Sequence, residues 1–585
     1  MRSFFKTVLA SLLALVIFFL LVFFIITAMV RALGSSDKPR VAARSVLLID
    51  MGQTYEEQEQ TDPFALLSSD PEKTVPGLYD MLRLIHKAKT DNDIEGILLM
   101  SKPGNNGYAA SAEIRNALAD FKLGGKFILA HGDVLTQRTY SVVNVADKIY
   151  VSPQGMVEWN GYSVGYAFLK GTLEKLEIEP QIFYAGKFKS ATEPFRADKM
   201  TDANRLQTTV WMNDLYNDLL QQTSLARKVD TATLRRLAAE ARIRTVKDAV
   251  ENKLIDGMKY DDEVKDEIKQ KLKIGKYDRI NFITINAYRA SGSFVKTGGD
   301  KIALIYAAGD IIDGEGDQGR IGGDSYRSLV RKARLDQSIK AIVLRINSGG
   351  GSAMASENIW RELYLARKEK PVIVSFSDVA ASGGYYIAAA ADSIFAQPTT
   401  ITGSIGVFGI IPNMEQFFKN KLGVTFDAVK TGPYADAMTV TRPMNEEEKK
   451  IVQEEIENIY TLFKQRVAEG RKRDTAYIDS IAQGRVWTGL RAKEIGLVDR
   501  FGGIEDAIRS AAAMAKLSNY QVREFPERET VLQQLLGKSS NPASYMQQMK
   551  KEIGEENFKM YEQMKRVKEM TNTAQARLPF DFIIR

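Results

Sequence analysis

The second half of this chain repeats the first, and that repeat limits the possible folds more than any other feature. Residues 131–153 read HGDVLTQRTYSVVNVADKIYVSP, and residues 376–398 read FSDVAASGGYYIAAAADSIFAQP. Asp133 matches Asp378, Tyr140 matches Tyr385, Asp147 matches Asp392 and Pro153 matches Pro398, all at an offset of 245. Further along, Tyr216 matches Tyr460 and Asp230 matches Asp474 at 244, and Asp256 matches Asp499 at 243. So small a drift over so long a span means two copies of one domain rather than a solenoid of short units.

Each copy alternates short apolar strands with helices. Residues 45–50, 96–100, 127–130 and 149–151 read as buried strands, matched by 302–306, 341–346, 372–375 and 394–396. Helical stretches lie near 77–89 and at 202–226 and 446–470. This alternation predicts α/β domains with parallel sheets. The expected layout is an N-terminal anchor and linker at 1–44, a first repeat at 45–290, a second at 291–525 and a tail at 526–585. The tail carries Met546, Met549, Ile553, Met560, Met564 and Val567 at helical spacing, which predicts a helix. Such a helix packs on its own domain or a neighbouring subunit, or else grips substrate or membrane.

The two copies have lost complementary things. The second has Ala380-Ala381-Ser382-Gly383-Gly384 where the first has Leu135-Thr136-Gln137-Arg138-Thr139. The first has Lys189 where the second, aligned through Gly186 and Gly432, has Ala435. A nucleophile in one copy and a base in the other point to one composite site. Ser382 follows a predicted strand at the start of a helix, in a setting that resembles a nucleophile elbow. The Gly383 N–H is then a natural oxyanion donor. A second glycine-rich turn, Asn347-Ser348-Gly349-Gly350-Gly351-Ser352, follows the preceding strand and offers Gly350 as the other donor.

A serine hydroxyl needs a base. The only histidines are His86 and His131, and neither follows Ser382, so the Ser–Asp–His chain order of the α/β-hydrolases is unmet. His131 aligns with a buried-strand phenylalanine and reads as a core residue, as does His86 on its helix. A lysine base is the remaining choice. To be neutral near pH 7, its pKa must fall from about 10.4 by about three, on the order of 4 kcal/mol, and burial is the usual cause. Lys189 lies among Phe188, Ser190 and Ala191, an apolar and small setting, while Lys187 points to the other face. Ser404, in Thr402-Gly403-Ser404-Ile405-Gly406, is a candidate for orienting the lysine amine or lining the cleft.

With no cysteines, disulfides and zinc-thiolate sites are excluded, and no paired-histidine metal motif or P-loop occurs. The net charge of +7 is dispersed along the chain, which argues against nucleic acid. Residues 8–30 form 23 uncharged residues, enough at about 1.5 Å each to span a hydrocarbon core of about 30 Å. This reads as an uncleaved anchor rather than a cleaved signal, whose apolar region is shorter. Arg31, Lys38, Arg40 and Arg44 after it outnumber Arg2 and Lys6 before it, which by loop charge alone favours a cytoplasmic C-terminal side.

The stretches around Asp378–Tyr385, Thr402–Gly406, Asn347–Ser352 and Lys189–Phe195 resemble the signal peptide peptidase A family in its long double-domain form. The resemblance covers nearly the whole chain from the anchor to about Gln521. It implies a tandem repeat of two Clp protease/crotonase-like domains preceded by one transmembrane helix. It also implies a serine endopeptidase in which Ser382 is the nucleophile and Lys189 the base, with no metal or cofactor. The implied substrates are cleaved signal peptides and other apolar peptides. The implied setting is a homotetramer on the bacterial inner membrane, single-pass, with its catalytic domains on the periplasmic side, against the loop-charge count. Gly349 departs from the family's proline at that position. Two rival readings are a crotonase-like enzyme acting on acyl-CoA and a non-catalytic scaffold.

Overall fold

Parallel strands buried on both faces read as continuous apolar runs, and such runs form the two sheets at the centre of the protein. The structure, a computed structural model, describes residues 2–34, 39–59, 75–292, 294, 295, 298–316, 319–527, 554, 558 and 573–578. In the first repeat the strand order is Gly257–Met258, Lys148–Val157, Phe127–Leu135, Ile94–Met100, Ser45–Asp50 and Phe282–Thr284, all parallel. The second repeat reproduces it as Arg500–Phe501, Ser393–Ala396, Val372–Ala381, Ile339–Ser348, Asp300–Ala308 and Tyr520–Phe525, again all parallel. Two further strands, Ile401–Gly403 and Val486–Thr488, extend this sheet beside the end of Val372–Ala381.

The residues that betray the repeat in sequence are structural. Tyr140 Oη donates to the Leu254 carbonyl (2.7 Å) and Tyr385 Oη to that of Leu497 (2.8 Å). Asp147 and Asp392 accept from the Ile128 and Val372 amides at 2.7 and 2.9 Å. Asp256 and Asp499 accept from those of Ile149 and Ile394 and pair with Arg227 and Arg471. Each bond ties one strand end to the next turn, so neither copy could lose it without loosening its sheet. The 26-residue helices Asp202–Arg227 and Glu446–Arg471 begin on the caps Thr201 and Asn445 and end at left-handed Lys228 and Lys472.

The repeats share one core. Leu47, Ile97 and Ile114 of the first belong to the same buried cluster as Leu304, Val343, Ile504 and Ile508 of the second. Polar locks reinforce it. Arg345, wholly buried in the second repeat, donates to Glu57 and Glu113 of the first at 2.7 Å each and to Ser375 and Ser377. Asp378 accepts from the Ala109 and Ala110 amides at the start of the helix Tyr108–Lys122 (2.8 and 3.0 Å).

A third sheet joins the repeats near Ser382. Its order is Arg320–Gly322, Asp310–Ile312, Gly350–Ser352, Gln575–Arg577, Val407–Asn413 and Glu179–Ala185. The outermost strand belongs to the first repeat and runs antiparallel to Val407–Asn413 of the second for seven residues, Ala185 facing Val407. Within the described part of the tail, Gln575–Arg577 is a strand held between two sheet edges. The methionine stripe from Met546 to Val567 lies outside the described residues. The first helix, Arg2–Gly34, has 33 residues and exposes Leu9, Leu13, Phe18 and Phe24. Among the described residues no helix is long and apolar enough to cross a membrane; side chains of the first helix are described without a break only over 6–22.

Removing Arg345 leaves two buried carboxylates without their cation. Arg345→Met should lower unfolding stability by about 3 kcal/mol in urea titrations, without touching the catalytic groups.

Candidate active site

The strand Val372–Ala381 ends one residue before Ser382, and the helix Gly383–Ala388 starts one residue after it. This sharp junction holds Ser382 at φ 54°, ψ −116°, a strained conformation for a non-glycine residue. The Ser382 amide donates to the Gly403 carbonyl at 2.8 Å, and the helix bond from Tyr386 N to Ser382 O fixes the other side. Small neighbours make room: a Cβ on Gly384 would lie 2.7 Å from the Ser348 carbonyl oxygen.

Lys189 reaches this serine from the other repeat. It follows the strand Glu179–Ala185 after a turn at Gly186, whose φ of 108° suits glycine, and its amide donates back to Gly186 O at 3.1 Å. Its Nζ lies 2.8 Å from Ser382 Oγ, 3.2 Å from Ser404 Oγ and 3.2 Å from the Ser404 carbonyl oxygen. Lys189 is 1% exposed, and Ser382 and Ser404 are 0% exposed. Burial pushes the Lys189 pKa well below the usual lysine value. All three partners are uncharged oxygens, so no carboxylate beside the amine opposes the effect of burial.

Ser404 thus stands beside the amine, itself held at φ 49° with its amide donating to the Arg485 carbonyl (2.7 Å). Gly383 opens the helix after the serine. Gly350 differs from the sequence reading, because its N–H donates to Ser348 Oγ at 3.1 Å. Its part in the cradle is the absence of a side chain: at φ 99°, a Cβ there would lie 2.6 Å from Gly383 N. Ala435, which takes the place of Lys189 in the second repeat, is exposed. His131 Nε2 donates to the Lys259 carbonyl (3.1 Å), and His86 lies between Asp120 and Glu505, so neither meets the serine. Among the described residues no acidic or histidine cluster could hold a metal ion.

Sequence reasoning missed Gly484. At φ 72°, a Cβ on it would press on Lys189 N, Cα and Cβ at 2.7–2.8 Å, and its amide donates to Ile405 O. It backs the lysine from nearly 300 residues away, and a lone glycine in a turn gave no signal of that. Gln207 was missed likewise: its amide nitrogen reaches Ser190 Oγ (3.0 Å) and the Phe188 carbonyl, and its oxygen takes the Val486 amide.

A strained, buried serine facing a desolvated amine has the chemistry a serine-type hydrolase needs. The chain belongs to peptidase family S49, whose profile matches residues 121–275 and 365–518, one match per repeat. It is 36% identical over 523 residues to Protease 4 of Salmonella typhi, covering 86% of this chain and 84% of that protein. It is 32% identical over 439 residues to the chloroplastic serine protease SPPA of Arabidopsis thaliana, covering 74% and 64%. A putative signal peptide peptidase SppA of Enterococcus faecium matches at 38% over 207 residues, 35% of this chain and 60% of that one. A ClpP1 mutant from Listeria monocytogenes superposes at a TM-score of 0.24 with 17% identity, covering 35% of this chain and 94% of that one, a likeness too low to identify a fold by itself. Membership places the protein among serine-type peptidases and sets aside the thioester and scaffold readings.

Because the Lys189 pKa is lower folded than unfolded, the unfolded chain holds more protons between the two values, and stability rises with pH through that window. Lys189→Met should therefore melt above the parent near pH 7, and the gap should narrow as pH approaches about 10.5. Gly484→Ala should displace the lysine and cut kcat by about a hundredfold with little change in KM, measured with any cleaved peptide.

Proposed function

We propose that the protein is a membrane-anchored serine endopeptidase with a Ser382–Lys189 dyad that degrades cleaved signal peptides and other apolar peptides. The 2.8 Å contact between Lys189 Nζ and Ser382 Oγ in a dry site carries this reading. Neutral Lys189 takes the Ser382 proton as Oγ attacks the peptide carbonyl. The Gly383 amide holds the oxyanion, and the Gly350–Gly351 turn, free of side chains, leaves room for it. The protonated amine then gives its proton to the leaving nitrogen. An acyl-enzyme remains, and Lys189, neutral again, activates the water that hydrolyses it. Ser404 orients the amine throughout. The pH dependence follows: kcat/KM rises as Lys189 loses its proton and falls toward acid as the base becomes occupied.

The anchor rests on the 23 uncharged residues at 8–30 and on the helix Arg2–Gly34 that contains them. An anchor holds the cleft beside the bilayer, where signal peptides remain after secretion, and this suits a periplasmic active side on the bacterial inner membrane. Self-assembly is supported by an asymmetry between the repeats. Residues 425–431 correspond to the strand Glu179–Ala185, yet form no strand and are exposed throughout, Phe426 and Val429 included. Residues 162–168, which correspond to Val407–Asn413, form only an isolated bridge at Val164 and expose Ser163, Gly165 and Ala167. Repeating between chains the pairing already made within one chain seats 425–431 on the next copy's 162–168. A head-to-tail contact of this kind closes into a ring where its rotation allows, and the family resemblance implies a ring of four.

Purified full-length protein in detergent should cleave a quenched apolar peptide. Ser382→Ala and Lys189→Met should each lose about 10⁴-fold in kcat while remaining folded. Full activity in Lys189→Met would remove the lysine from the mechanism. Phe426→Asp with Val429→Asp should shift the assembly to monomer in light scattering.

A further inference from the structure

A peptidase whose nucleophile is 0% exposed has something lying over it, and here it is the chain's own tail. Gln575–Arg577 runs antiparallel to Gly350–Ser352 in the register Gly350↔Arg577, Gly351↔Ala576 and Ser352↔Gln575, and Gln575 also pairs with Phe408 on the other side. The Leu578 amide donates to Gly349 O (2.7 Å) and the Ala353 amide to Ala574 O (3.2 Å). The alternation of an antiparallel ladder makes Gly351 and Ala576 the hydrogen-bonded pair between them. Without this strand the third sheet splits into three strands and two, leaving facing edges on either side of the cleft. An extended peptide bound by strand addition would fill that slot.

The register also says which peptide bond lies over the serine. A Cβ on Gly350 would collide with the Ala576 carbonyl oxygen, and one on Gly383 would lie 2.9 Å from it. The Ala576 carbonyl therefore sits in the glycine cradle proposed for the oxyanion. Arg577 is then the first residue on the leaving side. Its guanidinium meets the Asp310 carboxylate at 2.7 Å, with side chains only 12% and 22% exposed. Leu578, one further on, packs in an apolar cluster with Trp211, Leu215, Ile401 and Val486. A half-buried carboxylate placed opposite one substrate position rejects an apolar or acidic side chain there more strongly than a pocket wall could.

We propose that Asp310 is a specificity-determining residue that selects a basic side chain immediately after the scissile carbonyl, with residues 573–578 bound as the chain's own substrate-like strand. This rests on the peptidase reading above. It adds a basic position to a cleft otherwise suited to apolar peptides, such as the basic residues that flank membrane segments.

The test uses full-length protein with quenched peptides whose cores read Gln-Ala-Arg-Leu, Gln-Ala-Leu-Leu and Gln-Ala-Glu-Leu, and casein as a general substrate. The parent should favour the Arg core over the Leu core by about tenfold or more in kcat/KM. Asp310→Asn should collapse that ratio, Asp310→Glu should keep most of it, and Asp310→Lys should favour the Glu core. Because the tail competes for the same slot, Arg577→Glu should speed turnover of the Leu core, and adding Asp310→Lys to it should slow turnover again. Equal rates on all three cores while casein is still cleaved, or an Arg preference that survives Asp310→Asn, would overturn the Asp310 assignment alone. Failure to cleave any peptide or casein would overturn the peptidase reading with it.

Discussion

The chemistry proposed for this protein depends on keeping water away from one amine. A lysine in water is a cation and cannot take a proton from serine. Burial pushes the Lys189 pKa well down, and no carboxylate accompanies it into the interior to raise it again: two serine hydroxyls and a backbone carbonyl surround Nζ. An acidic neighbour would have restored the cation and abolished the base. Contrast Arg345, equally buried but flanked by Glu57 and Glu113, which stays charged and acts only as a lock between the repeats. The same burial gives opposite outcomes according to the company each cation keeps.

The tandem architecture explains how such an amine is placed. The first repeat keeps its sheet bonds at Tyr140, Asp147 and Asp256, carries no serine at the elbow position, and lends its strand Glu179–Ala185 to pair with Val407–Asn413 of the second. The second repeat kept the serine elbow and the glycine turn, and its own 425–431 segment carries Ala435 rather than a lysine. Arg345 and Asp378 fix the two sheets against each other, so the lysine and serine meet without a hinge between them.

Much of this was legible in sequence because parallel sheets and paired losses leave local marks. The strand at 45–50 falls where its apolar run puts it, and the helices from 202 and 446 match the stretches read for them to within a residue. Lys189 and Ser382 stood out because each is missing from the other copy. Most of what stayed hidden depends on contacts between residues far apart in the chain. Gly484 supports Lys189 by lacking a side chain, and nothing around it announces that role. The Gly350 amide is taken up by Ser348, two residues back, a local bond the glycine run alone did not reveal. The strand at Gln575–Arg577 has no strand pattern of its own and owes its conformation to the edges on either side.

The lent strand also sets a schedule for synthesis. Glu179–Ala185 leaves the ribosome about 220 residues before its partner Val407–Asn413. At about 5–20 residues per second, that is a wait of roughly 10–40 s. Throughout that interval the first repeat can fold its own parallel sheet, but this arm has no ladder to join and presents an open edge to other nascent chains. The lysine is thus carried on the last-satisfied piece of an early-folding domain, and activity cannot appear before the second half is made.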